Sequence, residues 1–314
     1  MNDLPDLSIV IVSYQVRELL DRCLASLVSV AKPHLEIWVV DNASSDDSAD
    51  WVRAHFPGVH LIANRENRGF SAANNQALSP ATGRYVMLLN PDTELPRKEP
   101  NALELLVDFM DRNPRAGACG PRLFYGDGAP QHSAFHFPSL AQVYLDLFPT
   151  NWRLTNSGLN GRYPRRLFDG GRPFLIDHPL GAAFLVRRET AAQVGWLDEA
   201  FFIYVEEVDW ARRIRGAGWE IWCVPQAEII HHEAQSTRQF RDRMFVELWR
   251  ARFHFFQKHY SPVFNGVAGL IVRAGMQRAI SRARQSRARG EIAESELDKQ
   301  LVAYCRVVEI TKHH

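Results

Sequence analysis

Four short apolar runs, LSIVIVSY (7–14), LEIWVVDNAS (35–44), VHLIAN (59–64) and RYVMLLN (84–90), are separated by three stretches of helical character. Runs of this length, rich in β-formers and closed by polar turns, read as buried strands. In VRELLDRCLASLVSV (16–30), Leu19, Leu20, Cys23, Leu24 and Leu27 fall at helical spacing, and SADWVRAHF (48–56) and GFSAANNQALS (69–79) read as further helices. Strands interleaved with helices in this way demand an α/β fold with a parallel sheet covered on both faces. Ligands of such sheets gather beyond the carboxyl ends of the strands. Those ends are Ser13-Tyr14, Asp41-Asn42, Asn64 and Asn90-Pro91-Asp92. At the last of them Pro91 has no N–H and restricts Asn90, so the ladder stops and Asp92 projects from a strand end.

Downstream the pattern changes. Residues 121–175 are rich in Gly, Pro and aromatics with weak periodicity and read as long loops or a lid. Residues 174–195 read as a strand then a helix, 201–219 as a helix from about Val205, and 220–233 as strands. From about residue 240 the chain reads as helical and basic. Between Glu247 and Glu291 there is no acid, while nine arginines and lysines fall inside, from Arg250 to Arg289.

Several classes are excluded. Lys+Arg (37) balances Asp+Glu (36), so bulk charge gives no reason to expect a nucleic-acid partner. The four cysteines lie far apart with no CxxC pair, which argues against a disulfide framework or zinc site and fits a reducing, cytoplasmic setting. The N-terminus carries two acids and no basic region, unlike a signal peptide, and no apolar run is long enough to span a bilayer. The first βα turn, VSYQVRE, has no glycine, which excludes a GxGxxG dinucleotide site; P-loop, HExxH and GxSxG motifs are also missing.

The remaining polar clusters each allow two readings. Asp46, Asp47 and Ser48 suit the capped start of a helix, which leaves Asp41 unexplained at the binding edge. Asn67, Arg68 and Gly69 precede a helix that carries Asn74 and Asn75; this is either a glycine turn or a receptor for an anionic or polyhydroxyl ligand. Asp92 is either a turn residue or a ligand of a hard divalent ion held against substrate phosphates. Glu206, Glu207 and Asp209 suit a first helical turn, yet one carboxylate there could remove a proton from a hydroxyl nucleophile. His231 and His232 end a later strand, and alternation sends one of them inward.

Taken in order, SIVIVSY, VVDNASSDDS, NRGFSAANNQ, LLNPDTEL, LGAAFLVRRE, GWLDEAFFIYVEEVDWARRIRGAGW and IIHHEAQS resemble the family-2 glycosyltransferases of GT-A fold, and within them the rhamnosyltransferase-like branch. The resemblance covers about residues 7–236. It implies a nucleotide-sugar site in which Asp41 contacts the base or ribose and Tyr14, Asn42, Asn67, Arg68, Gly69, Asn74 and Asn90 contribute to the nucleotide side. It implies that Asp92 is the surviving acid of a DxD-type motif, with His231 as a further contact to the metal (Mg²⁺ or Mn²⁺) or the diphosphate. Gly181, Ala182 and Ala183 would line the acceptor side. The family's helix-start motif is Glu-Asp-Val-Asp; here Glu206-Glu207-Val208-Asp209 places a longer carboxylate at the expected base, so Glu206, Glu207 and Asp209 all stay candidates. Gln15 also departs from the family's usual Asn.

The implied activity is inverting transfer from a nucleotide-sugar, dTDP-L-rhamnose first or else a UDP-sugar, to a cell-surface polysaccharide or lipid-linked saccharide. A binding-only module and a sugar-phosphate nucleotidyltransferase are the rival readings. The expected domains are 1–236, with a nucleotide-sugar half (1–120) and an acceptor half (121–236), and a basic helical extension, 237–314. The extension, through 250–289, either touches an anionic membrane surface from the cytoplasmic side or is a solvated helix paired with the acidic run 291–298. Oligomeric state stays open, a homo-oligomer included.

Overall fold

The computed structural model describes residues 4–149, 151–232 and 241–312. The last four residues of IIHHEAQS and the expected 236/237 boundary lie outside them. Its strands are β1 (Leu7–Ser13), β2 (Leu35–Asp41), β3 (His60–Ala63), β4 (Tyr85–Leu89), β5 (Thr93–Glu94), β6 (Ala116–Phe124), β7 (Pro130–Gln131), β8 (Ala134–Phe135), β9 (Phe174–Leu175), β10 (His178–Pro179), β11 (Ala183–Arg187) and β12 (Glu220–His231). Its α-helices are α1 (Arg17–Val28), α2 (Ser48–His55), α3 (Phe70–Leu78), α4 (Ala102–Arg112), α5 (Leu140–Leu147), α6 (Trp152–Thr155), α7 (Arg165–Asp169), α8 (Arg188–Val194), α9 (Glu206–Gly216), α10 (Arg241–His259), α11 (Pro262–Ala288) and α12 (Glu294–Ile310). Two compact units result: Met1–Phe137 with Tyr163–Phe202 and Glu206–Ser236, and Pro138–Arg162 with Ile203–Val205 and Thr237–His314.

The first unit is built on a sheet of order β3-β2-β1-β4-β11-β6-β12-β5. Strands β3, β2, β1 and β4 run parallel, and Ser13 is level with Asp41, so their carboxyl ends share one edge. Alternation along each strand serves two cores. Ile9, Ile11, Met87, Leu89 and Leu185 pack with Leu20 and Leu24 of α1 and Leu103 and Leu106 of α4. Val10, Val12, Val86, Leu88, Phe184 and Val186 pack with Ala73 and Ala77 of α3 and Trp210 and Ile214 of α9. Burial on both faces is why these strands read as unbroken apolar runs.

The structure departs from the sequence reading in three places. Strand β11 runs antiparallel to both β4 and β6. Residues 121–175 are not simply loops: β6 enters them, and five short strands or helices and a 3₁₀ turn follow before β9. Strand β6 is obscured because it is rich in small residues; a Cβ on Gly117 would lie 2.6 Å from Trp219 Cβ, and one on Gly120 2.6 Å from Pro179 Cβ. Finally, 220–231 is one strand with a bulge: Val224 pairs with Pro121, but Glu228 pairs with the next residue, Arg122. Pro225, which cannot donate to a ladder, lies in that bulge.

The second unit packs α11 against α5 and α12, and α12 against α10. Ser261 caps α11 by accepting from Phe264 N, with Pro262 in its first turn. Among the described residues no helix is long and apolar enough to cross a membrane. The acidic run after α11 pairs in part with the basic end of that helix and the residue after it, Glu294 with Arg287 (3.2 Å) and Glu291 with Arg289 (2.7 Å).

Asn101 caps α4 by accepting from Leu103 N and Glu104 N, and its amide donates to Lys32 O. Asn101→Ala therefore should cost about 1–2 kcal/mol, read as a lower midpoint in urea denaturation with an unchanged slope.

Candidate active site

At the β2 edge Asp41 is buried, and its Oδ2 accepts from Ser44 N at 3.0 Å. Its Oδ1 has no hydrogen-bond partner, and neither does Ser13 Oγ on the adjoining strand. Buried polar atoms are rarely left unpaired in a native protein, which singles out this edge as a candidate binding position. Tyr14 is partly exposed beside it.

Asn42 is committed to structure. Its amide donates to Asn67 Oδ1 (3.0 Å) and Gly69 O (3.2 Å), and its oxygen accepts from Asn64 Nδ2 and Arg68 N. Asn67 Oδ1 also accepts from Gly69 N. One asparagine thus fixes the 64–69 loop and leaves the Arg68 side chain exposed. Gly69 is required here: its φ is +82°, and a Cβ would lie 2.6 Å from Phe202 O, which accepts from Phe70 N. Asn74 donates to Phe70 O while its buried Oδ1 has no partner. The expected Asp or Ser cap of α2 does not form. Asp47 stands at that position with φ 61° and no side-chain cap bond, while Asp46 bridges Arg17 N and Ser48.

At the β4 edge, Asn90 O accepts from Thr93 N and Oγ1, closing a turn around Pro91-Asp92. The chain then enters β5, which pairs antiparallel with the end of β12, Thr93 opposite His231. This pairing brings Asp92 Oδ1 within 3.3 Å of His231 Nε2, both side chains nearly buried. His231 Nδ1 lies 3.0 Å from Gln131 Oε1. An amide oxygen can only accept, so Nδ1 carries the proton and Nε2 directs its lone pair at the carboxylate unless it too is protonated. Two lone pairs meeting at 3.3 Å call for a proton or a cation between them. The donor set, one carboxylate and one imidazole fixed from behind by Gln131, suits a divalent ion that keeps its other positions for water or phosphate. His232 turns instead to Glu94 Oε2 at 3.2 Å, so Glu94 is a strand residue with its own partner.

The three acids of α9 meet three environments. Asp209 is completely buried and paired with Arg213 at 2.8 Å, whose guanidinium also donates to the carbonyls of Val194, Gly195 and Trp196. Glu206 is buried with Oε2 unpartnered, and burial, then the charge of Glu207, drives its pKa well upward. Glu207 is partly exposed. Desolvation raises it to about 6, opposed by backbone N–H groups including that of Gly181. A Cβ on Gly181 would lie 3.2 Å from the Glu207 carboxyl carbon, so only glycine lets this contact form without a shift. Ala182 O in turn accepts from Asn90 N at 2.9 Å. The Gly181–Ala182 segment thus links the Glu207 carboxylate to the Asp92 turn. Ala182 and Ala183 themselves are buried core residues. The turn that enters α9 is strained, with Tyr204 and the β-branched Val205 both left-handed (φ 72° and 69°).

Sequence reasoning missed Gln131 and the direct contact of Gly181 with Glu207, and it placed Ser13 at a strand end without giving it a role. Gln131 sits in a two-residue strand with no periodicity to flag it.

The family described as glycosyl transferase family 2 matches residues 8–191. That span holds Asp41 and Asp92 and ends before Glu207 and His231. The chain is similar to N-acetylglucosaminyl-diphospho-decaprenol L-rhamnosyltransferase of Mycobacterium tuberculosis, 32% identical over 242 residues, which are 74% of this chain and 77% of the relative. Its fold is similar to that of the mannosyltransferase PcManGT from Pyrobaculum calidifontis, solved with GDP-Man and Mn²⁺, with a TM-score of 0.57 at 16% identity over 98% of this chain and 86% of that one. It is also similar to GalNAc-T7, solved with UDP, GalNAc and Mn²⁺, with a TM-score of 0.56 at 15% identity over 82% of this chain; the match spans about half (48%) of GalNAc-T7.

Both glutamates hold protons more tightly folded than unfolded, so stability falls as pH rises above the ordinary value of 4.5, the Glu207 contribution being lost through about 6. Glu206→Gln removes one of the two. Its Tm by scanning calorimetry should exceed the wild-type value at pH 8 by about 2 °C or more, with the gain shrinking toward pH 4.

Proposed function

The chain belongs to glycosyl transferase family 2 and is a glycosyltransferase of GT-A fold, rhamnosyltransferase-like, and from that premise we propose an inverting transfer in which Glu207 is the base and Asp92 and His231 form the metal site. The observation that carries this reading is the Glu207 carboxylate, partly exposed, raised to about 6, and joined through Gly181 and Ala182 to the Asp92 turn. A base with a pKa just below working pH is mostly ionised yet still accepts a proton readily.

Glu207 takes the proton of an acceptor hydroxyl as that oxygen attacks the anomeric carbon. The new C–O bond forms on the face opposite the departing nucleoside diphosphate, which leaves with the electrons of the old bond. Asp92 Oδ1 and His231 Nε2 would hold a Mg²⁺ or Mn²⁺ ion, which when bound neutralises charge on the diphosphate. Asp41 Oδ1 accepts from the base or ribose of the donor, Arg68 meets its phosphates, and Asn42 and Asn67 shape the loop that presents Arg68. Burial, which drives the Glu206 pKa well upward, disfavours a second negative charge beside the base, and Asp209 fixes α9 through Arg213.

The relative's name supports L-rhamnose from dTDP-rhamnose as the first donor to test, with a UDP-sugar next, and a lipid-linked saccharide as acceptor. Such an acceptor places the enzyme at the inner membrane face as a peripheral protein. The outer side of α11 supports this with Val263, Val267 and Leu270 (75%, 37% and 61% exposed) and with arginines further along the helix. Leu270→Asp should weaken flotation with vesicles containing anionic lipid.

Donor nucleotide with Mn²⁺ should raise the Tm of the wild-type protein. Asp92→Ala should lose the Mn²⁺-dependent part of that shift. Glu207→Gln should keep the shift while transfer to a lipid-extract acceptor falls by about 100-fold or more. Wild-type kcat/KM should drop on the acid side with a midpoint at about pH 6. Nucleotide binding without transfer by wild-type enzyme to any acceptor would favour the binding-only reading, and wild-type rates from Glu207→Gln would remove the base assignment.

A further inference from the structure

Within the helical unit, α5, α10, α11 and α12 line an open-sided cavity of about 430 Å³, in the range of small-molecule sites. Leu147, Phe245, Met276, Ala279 and Ala283 supply apolar wall, and Phe245 meets Tyr304 edge to face at 5.8 Å. Its charged lining groups are Asp146, Arg278 and Arg282. Asp146 is paired with Arg252 at 2.9 Å, Glu294 with Arg287 and Glu291 with Arg289, and Glu296 accepts from Gln300 Nε2. Neither Arg278 nor Arg282 is ion-paired with an acid among the described residues.

These two arginines stand one helical turn apart, an arrangement in which like charges repel. Arg278 is held in place with its guanidinium over the Phe148 ring, 5.3 Å from the centroid. An anion between them removes the repulsion, and the forked guanidinium donors match phosphate oxygens. A bare phosphate leaves the Leu147, Met276 and Ala279 wall wet, and a neutral lipid leaves both charges uncompensated. The ligand that satisfies both halves is an amphiphile with a phosphorylated head and a hydrocarbon tail.

We propose that this cavity binds a prenyl diphosphate, with the head on Arg278 and Arg282 and the tail against the apolar wall, as a site separate from that of the nucleotide-sugar. The identity of the tail rests on the reading of a lipid-linked acceptor given above; binding itself is tested without turnover. Calorimetric titration of the full chain with farnesyl diphosphate below its micellar concentration should show saturable binding. Farnesol and inorganic diphosphate should bind at least tenfold more weakly. Arg278→Gln/Arg282→Gln should weaken farnesyl diphosphate at least tenfold and leave the Tm shift by donor nucleotide with Mn²⁺ unchanged. Both side chains reach solvent, so the variant should fold, which circular dichroism checks. Ala279→Phe, which fills the cavity, should weaken farnesyl diphosphate while leaving inorganic diphosphate unaffected. Unchanged affinity in the double variant, or inorganic diphosphate binding as tightly as farnesyl diphosphate, overturns the proposal. Arginine-dependent binding by an enzyme that glycosylates no lipid-linked acceptor upholds this site and counts against the acceptor reading instead.

Discussion

Strand β11 runs against β4, so its entrance, not its exit, lies beside the carboxyl end of β4. The link between Glu207 and the Asp92 turn depends on that reversal. Gly181 precedes the strand and lends its N–H to Glu207, while Ala182 takes the N–H of Asn90. Had β11 been parallel, the segment before it would lie at the opposite edge of the sheet, and α9 would have no backbone contact with the Asp92 turn. A second antiparallel pairing, β5 on β12, finishes the site by drawing His231 onto Asp92 across 139 positions of sequence.

The strands most readily read in advance, β1 and β4, are buried on both faces. Ile9 to Val12 and Val86 to Leu89 leave few alternatives to a central strand, and α1 and α3 follow from their spacing. Strand β6 escaped because close neighbours hold Gly117 and Gly120 to glycine, which erases the β-branched signature. Strands β5 and β7 are too short for any period to register, yet one positions Asp92 and the other carries Gln131. The residues of the site were legible as types at strand ends. Their partners were not, because a hydrogen bond such as His231 to Gln131 depends on a register that local sequence does not encode.

Helix α9 shows how far environment divides identical chemistry. Three carboxyl groups within four residues become an ion-paired strut, a fully buried acid whose pKa is driven well upward and a partly exposed acid raised to about 6. Composition suggested only that acids suit a helix start. The difference arises from what faces each one: Arg213 for Asp209, apolar burial for Glu206, and an edge lined by backbone N–H groups for Glu207.

The bulge in β12 acts as a parity switch. Four steps of β12, from Val224 to Glu228, advance β6 by a single residue, so three residues are extra, and an odd insertion inverts which side of the sheet every later residue faces. With four extra residues in place of three, His232 would stand opposite Thr93 in place of His231, and His231 would stand opposite Glu94. The choice between two adjacent histidines is thus made several residues upstream, around Pro225, by a count and not by a contact.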